Sequence, residues 1–194
     1  MFDIKADVWF ANIVWQTQLD IDNSILLKKA KELELYSSSV NLTNQGNGYQ
    51  SKSLSPDIAE VQELVTVLDQ VVEKASTSVQ LPKLDFYNLW FNINHPGSYN
   101  LLHNHHGGLI SGVYYVDVPS KGMGNIEFHR GDDYEYYMPQ LKKYNQFTSQ
   151  KASYEPRTGM LLLFPSWLKH QVLANKSEKE RVSISFNYGV QNAN

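Results

Sequence analysis

The 194-residue chain contains no cysteine, so no disulfide can staple it and no thiolate can bind a metal. Any metal ligands must therefore be histidine or carboxylate. A basic run is also missing: 17 Lys and Arg are scattered among 20 acids, for a net charge of -3, which leaves no electrostatic footprint for nucleic acid. No apolar stretch reaches the roughly 18 residues that a membrane-spanning helix needs. The N-terminus, Met1-Phe2-Asp3-Ile4-Lys5-Ala6-Asp7, carries acids where a secretory signal is basic and then apolar. Together these absences lead us to expect a soluble, cytoplasmic protein with neither nucleic acid nor membrane as a partner. Aromatics, by contrast, are plentiful. Twelve Tyr and four Trp concentrate between residues 86 and 190, where rings with a polar handle suit a pocket or a β-core equally well.

The length fits one domain over residues 1-194. The β-branched and aromatic run Val8 to Trp15 reads as a first strand, and Asp20 or Asp22 as the cap of a short helix over Ile25 to Leu35. Residues 37 to 53, rich in Ser, Asn, Gln and Gly, read as a loop. Ser55-Pro56-Asp57 reads as a helix start, followed by Ile58, Val61, Leu64, Val65, Leu68, Val71, Val72 and Ala75 at helical spacing. From Leu84 the period switches to two. Asn88, Trp90, Asn92 and Asn94 share one face of a strand, and Tyr87, Leu89, Phe91 and Ile93 the other. Further strands are expected at 109-118, 124-129, 159-165, from His170, and over Arg181 to Asn187. The long connection from 130 to 157, with Tyr134, Tyr136 and Tyr137, reads as a lid or substrate-facing loop. The architecture expected is mostly β with flanking α: two N-terminal helices beside an all-β core.

Three of the six histidines fall within Leu101-Leu102-His103-Asn104-His105-His106-Gly107-Gly108. On an extended strand His103 and His105 face the same way and offer a transition metal two ligands. A solvated turn is the plain alternative. Arg181 and Ser183 form a second informative pair. A guanidinium and a hydroxyl two apart on a strand can grip one carboxylate together, unless the alternation only separates a wet face from a dry one.

His103-Asn104-His105-His106, Ser111-Gly112-Val113-Tyr114-Tyr115-Val116, Gly159 to His170 and Arg181 to Asn187, in this order and spacing, resemble the iron(II)- and 2-oxoglutarate-dependent oxygenases. The likeness is greatest to the oxygenases of that superfamily found in bacteria and phages, and it covers about residues 86 to 190. It implies a double-stranded β-helix (jelly-roll) core over about 84-190, with a helical N-terminal part over about 1-83. It implies His103 as the first iron ligand, His170 as the distal one, and Arg181 with Ser183 on the distal carboxylate of 2-oxoglutarate. Tyr115 or Tyr99 would hydrogen-bond that carboxylate. The superfamily usually places Asp or Glu where His105 stands here; a third imidazole in that place would keep the full metal charge. His106 competes for the position if the strand bulges, and His95 and His129 take structural roles. The implied reaction is hydroxylation of a polar small molecule or peptide side chain, using Fe(II), 2-oxoglutarate and O2 and releasing succinate and CO2. Two other readings stay open. One is a non-catalytic metal- or ligand-binding jelly-roll module, and the other a three-histidine cupin-type dioxygenase without 2-oxoglutarate. A homodimer through strand edges or the N-terminal helices is compatible with all three.

Overall fold

The computed structural model describes residues 4-5, 7-40, 42-131 and 140-190. Among the described residues two helices, α1 (Ser24–Tyr36) and α2 (Ala59–Ser78), accompany eleven strands. The strands are β1 (Trp15–Gln18), β2 (Asn44–Gln45), β3 (Tyr49–Gln50), β4 (Asp85–Asn94), β5 (Tyr99–His103), β6 (Ile110–Asp117), β7 (Ile126–His129), β8 (Lys151–Tyr154), β9 (Met160–Pro165), β10 (His170–Val172) and β11 (Arg181–Gly189). They form two antiparallel sheets: a six-stranded one in the order β1-β9-β6-β11-β4-β3 and a five-stranded one in the order β2-β5-β10-β7-β8. This is the double-stranded β-helix.

Strand alternation divides the buried residues between two cores. On β6, β9 and β11 successive side chains point to opposite faces. Tyr114, Leu161, Leu163, Val182, Ile184 and Phe186 meet Leu64, Leu68 and Val72 of α2 in one cluster. Val113, Tyr115, Met160, Leu162 and Phe164 meet Ile126 and Phe128 between the sheets in another. The central strands are therefore covered on both faces. At roughly 1.5–3 kcal/mol for each large apolar side chain removed from water, burial outweighs any single polar contact. Asn23 pins α1 to the sheet: its Nδ2 donates to the Val116 carbonyl at 2.9 Å and its Oδ1 accepts from the Tyr114 hydroxyl at 2.8 Å.

Several local expectations shift. No strand spans Val8 to Val14; β1 begins at Trp15, and Val8, Trp9 and Phe10 are exposed. Composition favoured a strand there, but the pairing partner, β9, takes the polar stretch Trp15 to Gln18 instead. Helix α2 begins at Ala59 with Ile58 in the capping position. The Ser55 hydroxyl is already used as acceptor for the Asp57 amide at 3.3 Å, in a turn ahead of the helix. Asp22 does act at the start of α1, accepting from the Ser24 amide at 2.9 Å, although the capping position belongs to Asn23. The expected 37-53 loop holds β2 and β3, which join different sheets on either side of Gly46. The connection after residue 130 contains β8, paired with β7. Tyr134, Tyr136 and Tyr137, on which the lid expectation rested, lie outside the described residues.

Gly124, at φ +85°, would place a Cβ 2.1 Å from the Leu173 carbonyl oxygen, whereas Gly122, at φ +75°, has nothing within 4 Å. Gly122→Ala should then cost about 1–2 kcal/mol of backbone strain. Gly124→Ala should cost distinctly more, about 3 kcal/mol, because the backbone must also move. Urea denaturation of both variants measures this, and equal losses would contradict it.

Candidate metal centre

Antiparallel pairing of β10 with β5 sets His170 directly opposite His103. Their ring centroids are 4.3 Å apart. Strand β5 ends at His103, so His105 arrives through the following turn and not by strand alternation. Its backbone amide donates to the Ser166 carbonyl at 2.9 Å, and its ring stacks 5.3 Å from that of His103 and lies tilted 5.1 Å from that of His170. One ring nitrogen from each of the three lies within 4.8 Å of the others.

Hydrogen bonds on the far side of each ring orient the trio. His103 Nδ1 lies 2.6 Å from the Leu101 carbonyl and His170 Nδ1 lies 2.9 Å from the Leu168 carbonyl. Because a carbonyl oxygen only accepts, both Nδ1 atoms carry the proton and both Nε2 atoms keep a lone pair. His105 Nδ1 lies 2.6 Å from Asn187 Oδ1. Burial pushes the His170 imidazole down to about 3, with the neighbouring His103 adding to the effect. Burial likewise holds His103 and His105 below the usual imidazole value, against the opposing hydrogen bonds from Leu101 and Asn187. Three neutral imidazoles with ring nitrogens gathered this closely suit a divalent transition metal. The donor set fits iron(II).

The same cavity, about 200 Å³ in volume, is lined by His103, His105, His170, Tyr115, Arg181 and Ser183. Arg181 is 2% exposed. Its guanidinium donates to the Met123 and Gly124 carbonyls at 3.0 and 2.7 Å and to Asn94 Oδ1 at 2.7 Å, while Nε has no partner among the described residues. No carboxylate pairs with it among the described residues. A buried cation compensated only by dipoles is costly, and an anion entering the cavity would relieve it. The Tyr115 ring lies 5.7 Å from the guanidinium carbon, and burial pushes the Tyr115 phenol up. The Ser183 hydroxyl has no hydrogen bond among the described residues and faces this same space. The β11 face carrying Arg181, Ser183 and Asn187 is therefore not a wet face; all three are buried between the sheets.

Tyr99 stands apart: it is 40% exposed and does not line the cavity. His106 is exposed and outside the trio. His95 lies against Glu34 and Glu180 at 2.6 and 3.4 Å, and His129 ends β7. Sequence reasoning missed the partners of the site residues. Asn94 holds Arg181, Trp90 lies 5.7 Å from the His105 ring, and Asn187 and Ser111 contact His105. Asn94 and Trp90 share the amide-rich face of β4, a signal that was visible; nothing in the sequence marked Ser111.

The family model described as "Putative 2OG-Fe(II) oxygenase" matches residues 88–187 of the chain. None of the curated protein sequences matches it. Among solved structures, a Pseudomonas putida prolyl-4-hydroxylase aligns at 16% identity over 92% of this chain and 93% of that one, with a TM-score of 0.69. HygX from Streptomyces hygroscopicus, solved with nickel and 2-oxoglutarate bound, aligns at 14% identity over 92% and 83%, with a TM-score of 0.63. A viral collagen prolyl hydroxylase from Paramecium Bursaria Chlorella virus-1 aligns at 17% identity over 91% and 96%, with a TM-score of 0.60. At such identities these structures speak to the fold.

In the metal-free protein His170 remains neutral down to about pH 3, whereas an unperturbed imidazole takes its proton at 6.5. Between these values the unfolded chain binds a proton that the folded one refuses. Stability is thus intact above pH 6.5 and declines as pH falls, by up to about 1.4 kcal/mol per pH unit from this group. Urea unfolding in chelator from about pH 7 to about pH 4 should show that slope, and His170→Asn should flatten it. Identical slopes in the two proteins would contradict the assignment.

Proposed function

We propose that this chain, which belongs to the 2OG-Fe(II) oxygenase family, holds iron(II) on the Nε2 atoms of His103, His105 and His170 and seats the distal carboxylate of 2-oxoglutarate on Arg181 and Ser183. The protein is an iron(II)- and 2-oxoglutarate-dependent oxygenase. One observation supports the assignment of residues to that activity. A trio of neutral imidazoles and a buried guanidinium with no acid beside it among the described residues line one cavity. With iron(II) bound, the oxidation of a substrate C–H bond by dioxygen is coupled to conversion of 2-oxoglutarate into succinate and carbon dioxide.

The rest is the work of this chain's side chains. Arg181 supplies two-point recognition of a carboxylate, with its fork already oriented by Asn94 and the carbonyls of Met123 and Gly124. Because those partners hold the guanidinium before any ligand arrives, little side-chain entropy is lost on binding. Tyr115 lines the cavity beside it and offers its hydroxyl to the same carboxylate. With no protein carboxylate in the trio, the metal keeps its full charge, which favours a dianionic cosubstrate. Trp90 and Asn92 line the same cavity and offer a substrate an aromatic face and an amide. A polar small molecule or a peptide side chain fits such a wall. That range agrees with neighbours of the same fold, a prolyl-4-hydroxylase and HygX solved with hygromycin B. The whole chain serves as one domain, the two helices of its part over about 1-83 bracing the jelly roll over about 84-190, to whose sheets β1, β2 and β3 add.

Anaerobic protein titrated with iron(II) and then 2-oxoglutarate should develop a visible metal-to-cosubstrate charge-transfer band. Arg181→Ala should weaken 2-oxoglutarate on the order of 10- to 100-fold, the equivalent of a charged hydrogen bond, with Arg181→Lys intermediate. His103→Ala should abolish metal binding. No band in the parent protein, or unchanged 2-oxoglutarate affinity in folded Arg181→Ala, would sink this reading.

A further inference from the structure

Two of the three histidines are oriented by backbone close to them in the chain. In both, Nδ1 donates to the carbonyl two residues earlier, from His103 to Leu101 and from His170 to Leu168. His105, which lies in the turn after β5, makes no such local contact among the described residues. Its Nδ1 instead meets Oδ1 of Asn187, 82 residues away on β11, at 2.6 Å. We infer that Asn187 is the positioning residue for the third metal leg: it fixes His105 as the Nδ1–H tautomer and aims Nε2 at the site. The inference rests on the metal reading given above.

The surrounding contacts determine which way the amide faces. Asn187 Nδ2 donates to Asn88 Oδ1 at 2.7 Å, so its Oδ1 is the atom turned towards His105. That oxygen also accepts from the Ser111 hydroxyl at 2.6 Å. The Ser111 oxygen in turn lies 2.8 Å from the Ser166 hydroxyl, and the Ser166 backbone carbonyl receives the His105 amide at 2.9 Å. Ring and backbone of His105 are thus gripped by one connected network. Ser111 and Ser166 are 0% exposed and Asn187 is 5% exposed. A buried polar network whose members satisfy one another specifies a single arrangement, because any other leaves a buried group unpaired. The chain passes over this network at Gly108, where a Cβ would lie 2.8 Å from Ser166 Oγ.

The alternative orientation makes the chemistry concrete. With the amide reversed, Nδ1 would become an acceptor, the ring proton would move to Nε2, and an N–H would point at His103 and His170. Such a ring cannot ligate. An amide also supplies the acceptor without adding a negative charge, so the centre keeps the charge that suits a dianionic cosubstrate.

Two measurements test this on the full chain. Nitrogen-15 spectra of histidine-labelled metal-free protein should show His105 protonated at Nδ1, and Asn187→Ala should give a mixture of tautomers. Titration with cobalt(II), followed by its visible absorption, should show Asn187→Ala weakened roughly 10- to 100-fold, and Asn187→Asp, which keeps an acceptor, restored to within a few-fold of the parent. The melting temperature of each metal-free variant separates positioning from bulk stability: a merely structural role would lower it while leaving cobalt affinity and the tautomer unchanged. That result overturns the inference, as does a parent protein with His105 protonated at Nε2. If Asn187→Ala does not fold, the tautomer in the parent and in Asn187→Asp still decides. A parent that binds no cobalt removes both the metal reading and this inference; a parent that binds while Asn187→Ala binds equally removes the inference alone.

Discussion

The burial of Arg181 against carbonyl dipoles, with no carboxylate beside it among the described residues, is the constraint on which the inter-sheet face depends. Taking an ion out of water is expensive, and partial charges repay only part of that cost. The fold tolerates it because the opposite face of the same strand is heavily apolar. Val182, Ile184 and Phe186 are 0% exposed against the helices, so β11 stays in place whatever its other face carries. Hydrophobic packing on one side thus holds a polar, under-compensated site on the other.

Strand β11 carries two functions at a fixed spacing. Arg181 and Ser183 stand at one end of its polar face, and Asn187, which meets His105, at the other. Pairing with β4 and β6 on both edges locks its register, so Arg181 and Ser183 cannot shift relative to Asn187. A slip by one residue would exchange the two faces and lose both at once. This explains how a site with ligands on β5, the following turn and β10 keeps one geometry.

Much of this was legible in the sequence, and the reason is periodicity. Alternation over Phe86 to Asn94 and Arg181 to Asn187, and helical spacing from Ile58 to Ala75, report burial directly, and burial is what these elements share. His103, His105, His170, Arg181 and Ser183 came from spacing and resemblance, and the structure brings all five to one cavity. What was not legible depended on partners distant in the chain. The first strand lies at Trp15 to Gln18 because β9 pairs there, and the short β2, β3 and β8 exist only through their neighbours. Asn187 and Ser111 carried no local signal, since a hydrogen bond to His105 across 82 or 6 residues leaves no pattern in either segment. Tyr99 shows the converse: it stood next to the cluster in sequence, yet it does not line the cavity.

An all-imidazole protein contribution to the metal is the central claim, and X-ray absorption at the iron edge addresses it most directly. Anaerobic protein loaded with iron(II) should show the outer-shell scattering of three imidazole rings, falling to two in His105→Ala. Two rings in the parent protein, or a parent spectrum unchanged by that substitution, would contradict it.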